Sequence, residues 1–377
     1  MPSGLSPRFA LAATCVSLSV FFALIASGAS GTALSAAAGA PPSVIAQHLS
    51  NPRSIAVAGN GDVYVAEAGS AGKYCNKKGR CFGFSGAVTK IPQGTGTPAR
   101  VATGLLSAGN KDGTYSVGPD GVALNGLGGL GIIETSIGGH LKQRLRGKVP
   151  WPVISKLIHQ NGNLLRLGRG GYKILGDVDG YEFRHNPDKA AVDSNPYSVT
   201  RSGLGWLVAD AGGNSLLRVT QRGYVKLITT FPPRWFNGRL VQSVPTCVEM
   251  GPDGAFYVGE LGGEGTPQGK ARIWRVAPDG TKRVFATGFN TIIDLDFGPD
   301  GTLYVAQFLK QGFSQLQQRK FTGALFAVLP DKTRVELAKG QLQVPGGIAV
   351  SPDGAKVYVS VYSVLPNDGQ VVAVPAF

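Results

Sequence analysis

One phrase recurs six times along the 377 residues: an apolar strand, a Gly-containing turn, and a second strand rich in Val and Tyr. Repetition constrains a chain strongly, because each copy is one supersecondary unit that buries its apolar face only against its neighbours. The clearest copies are PRSIAV-AGNGD-VYVAE from Pro52, PTCVEM-GPDGA-FYVGE from Pro245, IIDLDF-GPDGT-LYVAQ from Ile292 and PGGIAV-SPDGAK-VYVS from Pro345. Looser copies open at Pro119 (PDGVAL-NGLGGL-GIIE) and Pro196 (PYSVTR-SGLG-WLVAD). In the register of the Pro345 copy, the GPDG at Gly118–Gly121 is a strand entrance and not the internal turn it resembles.

A third short strand follows every pair, at Gly86, Gly162, Asn214, Ala271, Gly323 and Gly369. A fourth follows in five copies, at Arg100, Tyr172, Tyr224, Arg283 and Arg334, whereas the sixth copy runs to Phe377 without one. Ser43–Leu49 (SVIAQHL) has the missing pattern and stands ahead of the first copy. The expected fold is therefore all-β: a six-bladed β-propeller of four-stranded blades, closed by an N-terminal strand that completes the last blade. Closure of this kind removes the open sheet edge that invites aggregation. Roughly 56 residues per blade exceed the ~40–50 of common propeller repeats, so some connections are long. The candidates are 69–85, 140–161, 176–195 and 309–322. No linker-like break divides the chain into two all-β domains.

Composition agrees. Charged residues make up 16%, which excludes a long charged helical bundle, and 43% hydrophobic residues exclude a disordered chain. Between Arg8 and Arg53 there is no charged residue, and Phe9–Ala29 is almost wholly apolar or small. Residues 1–40 read as a signal peptide and 41–377 as one propeller domain outside the cytoplasm. The alternative is an uncleaved anchor, since about 20 apolar residues can span a bilayer. No later stretch is long and apolar enough to do so. Cys75 and Cys81, flanking a short polar loop, fit a local disulfide in an oxidising compartment, and Cys247 fits a buried core thiol.

Two sets of acids are candidates for chemistry. Glu67, Asp210 and Glu260, with Gln307 in the matched fourth place, end second strands and lead into Gly-rich loops. They either accept hydrogen bonds from loop amides or ring the channel mouth and bind a cation. The second set comes from the first strands, where equivalent places read Ala56, Ala123, Thr200, Glu249, Asp296 and Ala349, with Asp294 on the same strand face as Asp296. Acids between packed blades require partners. These are expected to be ion pairs with Arg or Lys, or else a metal or catalytic carboxylate pair. The acidic stretch Asp177–Tyr197 is a fragmentary match to a calcium loop, and a divalent cation such as calcium is the one cofactor the sequence suggests. The four His show no metal-ligand spacing, and neither a nucleophile elbow, a phosphate-binding loop nor a nucleic-acid module is present.

With its blades delimited, the sequence resembles secreted propellers of the ScyD/ScyE type, related to NHL-repeat propellers. The resemblance rests on the YE…NPD…DSNPY stretch (Tyr181–Tyr197), VADAGGNSLLRV (Val208–Val219) and VPTCVEMGPDGAFYVGEL (Val244–Leu261). It implies a six-bladed extracytoplasmic propeller and carries no catalytic residues with it. GLGIIETSIGG in the second copy departs from the expected regular Tyr-Val strand. NHL-like propellers also resemble gluconolactonase and strictosidine-synthase propellers, some of which hold a channel metal, which would make Glu67, Asp210 and Glu260 the nearest ligands in kind. Two functional readings follow. One is a non-catalytic binding or scaffold propeller for an extracellular small molecule, polymer or protein. The other is a metal-dependent hydrolase or lactonase.

The formal net charge of +14 is concentrated: neither Lys73–Lys111 nor Lys142–Lys173 contains an acid. These runs are either solvated loops or a basic sector for anionic polymers or phospholipid headgroups, with Lys142, Arg144, Arg146 and Lys148 at its centre.

Overall fold

The structure, a computed structural model, describes residues 41–125, 129–168, 171–203 and 205–377. The expected signal peptide lies outside the described residues. Six four-stranded antiparallel arrays form the body, innermost to outermost in chain order except in the last. The innermost strands are Pro52–Val57, Pro119–Leu124, Pro196–Ser202, Pro245–Met250, Ile292–Phe297 and Gly347–Val350. In the sixth blade the outermost strand is Ser43–Leu49, which pairs antiparallel with Gly369–Pro375 (Ser43 opposite Ala373, Leu49 opposite Gly369). The ring closes as expected.

Alternation along the strands turns one set of side chains toward each neighbouring blade, so every blade-to-blade junction has its own apolar cluster. Blade 1 meets blade 2 through Ala66, Val88, Val122 and Ile132, and blade 3 meets blade 4 through Leu207, Leu216, Val248 and Phe256. At the closing junction Ile55, Val63 and Val65 of blade 1 pack on Ala46, Leu49 and Tyr358 of blade 6. The irregular second strand of blade 2, Leu130–Glu134, is regularly paired. Its Gly131 has a packing reason: a Cβ there would meet the Trp206 ring of blade 3 at 2.8 Å.

All innermost strands start at one face, and every long connection leaves from that face. Among the described residues the opposite face carries short turns, such as those around Gly61, Gly254, Gly301 and Gly354, each Gly with positive φ. Sequence reading treats residues 140–161 as a long loop. They instead form two helices, Leu141–Leu145 and Trp151–Gln160. Periodicity tuned to β repeats missed this short amphipathic hairpin. In blade 1 the third and fourth strands, Arg80–Ile91 and Ala99–Asn110, are twelve residues each and overrun the blade as a two-stranded tongue. A further hairpin, Arg234–Phe236 with Arg239–Val241, stands between blades 3 and 4.

Leu49 is buried in the closing junction. Leu49→Ala is expected to cost about 2–5 kcal/mol by creating a cavity, read as a lowered urea midpoint. Unchanged stability would mean that the N-terminal strand does not close the ring.

Candidate functional site

Strand register places one residue of each blade at the same depth on the loop face, opposite the first residue of the innermost strand. These are Glu67, Glu134, Asp210, Glu260, Gln307 and Ser360. All six are buried. Glu67 accepts from Ser50 N (2.8 Å), Thr89 Oγ1 (2.6 Å) and both Nε and Nη2 of Arg100. Glu260 accepts from Arg272 Nε (2.8 Å) and Nη2 (2.7 Å), Trp274 Nε1 (2.7 Å) and the Ser243 hydroxyl. Asp210 accepts from the amides of Asn195, Gly212 and Gly213 and from Ser194 Oγ. Burial pushes Asp210 up to about 6 against the pull of those donors. These acids tie each second strand to the loop entering its own blade. Their lone pairs are spent inside the protein and do not point into a shared mouth.

Glu134 is the member the sequence reading omitted, because its copy is irregular. Neither of its carboxylate oxygens has a hydrogen-bond partner among the described residues, and burial, with the nearby Asp120, holds its pKa well above the ordinary range. Asp120, also fully buried, lies 3.6 Å from Arg53 Nε, and Arg53 further donates to Ser116 O and the Tyr197 hydroxyl. The acidic stretch after Asp177 opens as a helix and not as a loop. Asp177 caps the helix Val178–His185 by accepting from Gly180 N, and it also accepts from Arg184. The helix buries Asp179 and Glu182, pushed up to about 7 and about 8 chiefly by burial.

The second set of acids lines the central channel, a cavity of about 230 Å³ walled by all six innermost strands. No ion pair involves Glu249, Asp294 or Asp296 among the described residues, contrary to the expectation from burial. Asp294 accepts from Ile348 N (2.9 Å) and Asp296 from Val350 N (2.7 Å), while Thr200 donates to Glu249 at 3.0 Å. The reason lies in the architecture. An innermost strand has an edge with no further strand to pair, and the neighbouring blade's carboxylates supply the missing acceptors. Burial raises Asp294 to about 7; burial and the charge of Asp296 raise Glu249. Among the described residues no group of three His, Cys, Asp or Glu side chains is arranged to hold a metal ion.

A different feature occupies the loop face of blades 1 and 2. The helical hairpin packs Leu141 and Leu157 on Leu106, Phe82 and Phe84 of the blade 1 tongue. Gln160 Nε2 donates to Gly104 O (3.1 Å), and Lys156 Nζ sits 4.2 Å from the centre of the Phe84 ring. Cys75 and Cys81 form a disulfide at the tongue's edge, and Cys247 is buried and free. The blade 1 tongue and the helical hairpin, parts of the two acid-free runs, are thereby joined into one platform. Along the sequence the runs hold fifteen Lys and Arg, against 22 basic and 23 acidic residues elsewhere; of the fifteen, Lys90 pairs with Asp62 at the opposite face and Arg100 with the buried Glu67. Lys73, Lys77, Lys78 and Lys111 from blade 1 and Lys142, Arg144, Arg146 and Lys148 from blade 2 are exposed.

No family model and no curated protein matches the sequence. Solved propellers match the structure. A gluconolactonase from Xanthomonas campestris is 9% identical over 92% of this chain and 94% of its own, with TM-score 0.54. A PQQ-bound aldose sugar dehydrogenase from Streptomyces coelicolor is 11% identical over 89% and 96%, with TM-score 0.53. Virginiamycin B lyase from Staphylococcus aureus is 14% identical over 88% and 98%, with TM-score 0.48. At such identities the likeness to the first two shows the fold alone.

Two expectations follow. Arg272→Met leaves the buried Glu260 short of its main partner and should cost about 3 kcal/mol. An unchanged urea midpoint would contradict the role assigned to this pair. The second concerns pH. Asp179, Glu182 and Asp294 have folded-state pKa values raised to about 7, 8 and 7, and that of Glu134 is raised well above the carboxylate range. Between the unfolded and folded values the native state binds more protons. The unfolding free energy should therefore fall as pH rises from about 5 to about 9. Glu134→Gln should flatten that slope and stabilise the protein at the alkaline end. A stability curve that climbs across the same window would refute the assignment.

Proposed function

We propose that the chain is a non-catalytic, extracytoplasmic binding propeller of the ScyD/ScyE type, which holds an anionic partner on the basic platform of blades 1 and 2. The observation that carries this reading is the packing of parts of two acid-free runs into one body with its own apolar core. Solvated loops need no such core. A fixed array of cations on one sector raises the local concentration of anions and orients them, in a salt-dependent way. The disulfide and the apolar run at 9–29 support a location outside the cytoplasm. The channel supports a structural role, since its acids hydrogen-bond neighbouring strands.

A chain beginning at Pro41 retains all six sheets and is the material for the test. Its affinity for dextran sulfate, measured by calorimetry, should fall steeply with salt. Substituting either Lys77 and Lys78 or Arg146 and Lys148 by Gln should weaken it about tenfold. Equal affinity in all variants would sink the platform as the binding site. The metal-dependent hydrolase reading would use Glu249, Asp294 and Asp296, which share the channel cavity. Its signature would be lactone turnover that EDTA abolishes and that Asp294→Asn removes. We expect neither effect.

A further inference from the structure

Exposed apolar side chains on the loop face are not scattered. Trp151 is 56% exposed and Ile158 39% exposed, seven residues apart on one helix and so on one stripe. The adjoining positions Ile154 and Leu157 are buried, Leu157 against the platform. The outward stripe is flanked by the platform's cations, and Lys142 Nζ lies 5.5 Å from the centre of the Trp151 ring. A second protrusion leaves the same face between blades 3 and 4. Its hairpin pairs Trp235 with Leu240, 70% and 50% exposed, beside the exposed Arg239.

We infer that the anionic partner is a phospholipid surface, with the loop face laid against it, the platform's Lys and Arg among the headgroups, and Trp151 and Trp235 inserted at the interfacial level. This rests on the platform reading and adds the chemistry of the partner. A hydrophilic polyanion has no use for an outward Trp–Ile stripe or a Trp–Leu hairpin tip. A bilayer interface rewards both, since Trp and aliphatic groups enter the acyl boundary while cations stay at the phosphates. Among the described residues no helix is long and apolar enough to cross a membrane, so the contact is peripheral.

The test uses the chain from Pro41, because the apolar run at 9–29 would bind lipid by itself. Binding is measured by cosedimentation with vesicles of phosphatidylcholine, with and without phosphatidylglycerol, alongside dextran sulfate as a soluble polyanion. Vesicles containing phosphatidylglycerol should retain the protein and neutral ones should not. Trp151→Ala with Ile158→Ala should weaken vesicle binding about tenfold while leaving dextran sulfate binding unchanged, and Trp235→Ala with Leu240→Ala should act likewise. In a Trp235→Phe variant, where Trp206 and Trp274 are buried, brominated lipid should quench Trp151. Binding to dextran sulfate without binding to vesicles would overturn the lipid inference and leave the platform reading standing. Failure to bind either would overturn both. Vesicle binding indifferent to the apolar substitutions and to brominated lipid would show headgroup attraction alone and overturn the insertion.

Discussion

The structure depends on the seven residues Ser43–Leu49 pairing with the last strand of the chain. A propeller blade buries its faces only against two neighbours, so a ring with one unfinished blade would expose a strand edge at the junction of its two ends. Hydrogen bonding the first strand to Gly369–Pro375 converts a linear array of repeats into a closed body. The apolar cluster formed there by residues from both ends of the chain secures it. Once the ring is closed, individual blades tolerate insertions, because an added tongue or helical hairpin leaves from the ends of strands and disturbs no ladder.

Much of this was legible in the residues. The innermost strands, the four-strand pattern and the closing segment were all readable, because strand periodicity and Gly-bearing turns are local signals that six copies reinforce. What escaped detection occurs once. The helical hairpin at 141–160 has no repeat partner, and its Trp-Pro start resembles a loop. Glu134 sits in the copy whose Gly131 yields to Trp206, so its kinship with Glu67 and Glu260 was visible only in the strand register. The ion pairs expected for Asp294 and Asp296 failed for a reason no one-dimensional reading contains. Their partners are backbone amides of the neighbouring blade, fifty-four residues away in the chain. Asp179 and Glu182 were read as part of an oxygen-rich loop. The cap at Asp177 turns that segment into a helix and buries them.

The division of labour between channel and surface follows from these contacts. Acids in the channel bond the neighbouring blade and those at the second-strand ends bond their own blade's entering loop; Glu134, for which no hydrogen-bond partner is found among the described residues, is buried. The exposed cations of the tongue tip and the helical hairpin sit together on the loop face, on a body stiffened by its own apolar contacts. Cations fixed on such a body lose little freedom on binding, which favours a persistent anionic surface over transient counterions. Position, more than the size of the charge, gives the platform its meaning.

The most direct measurement of the central claim is amide hydrogen exchange of the chain from Pro41, with and without saturating dextran sulfate. The account predicts protection over the tongue and helical hairpin, residues 73–84, 104–111 and 141–160, with the innermost strands unchanged. Protection confined to the channel strands, above all 245–250 and 292–297, would contradict it.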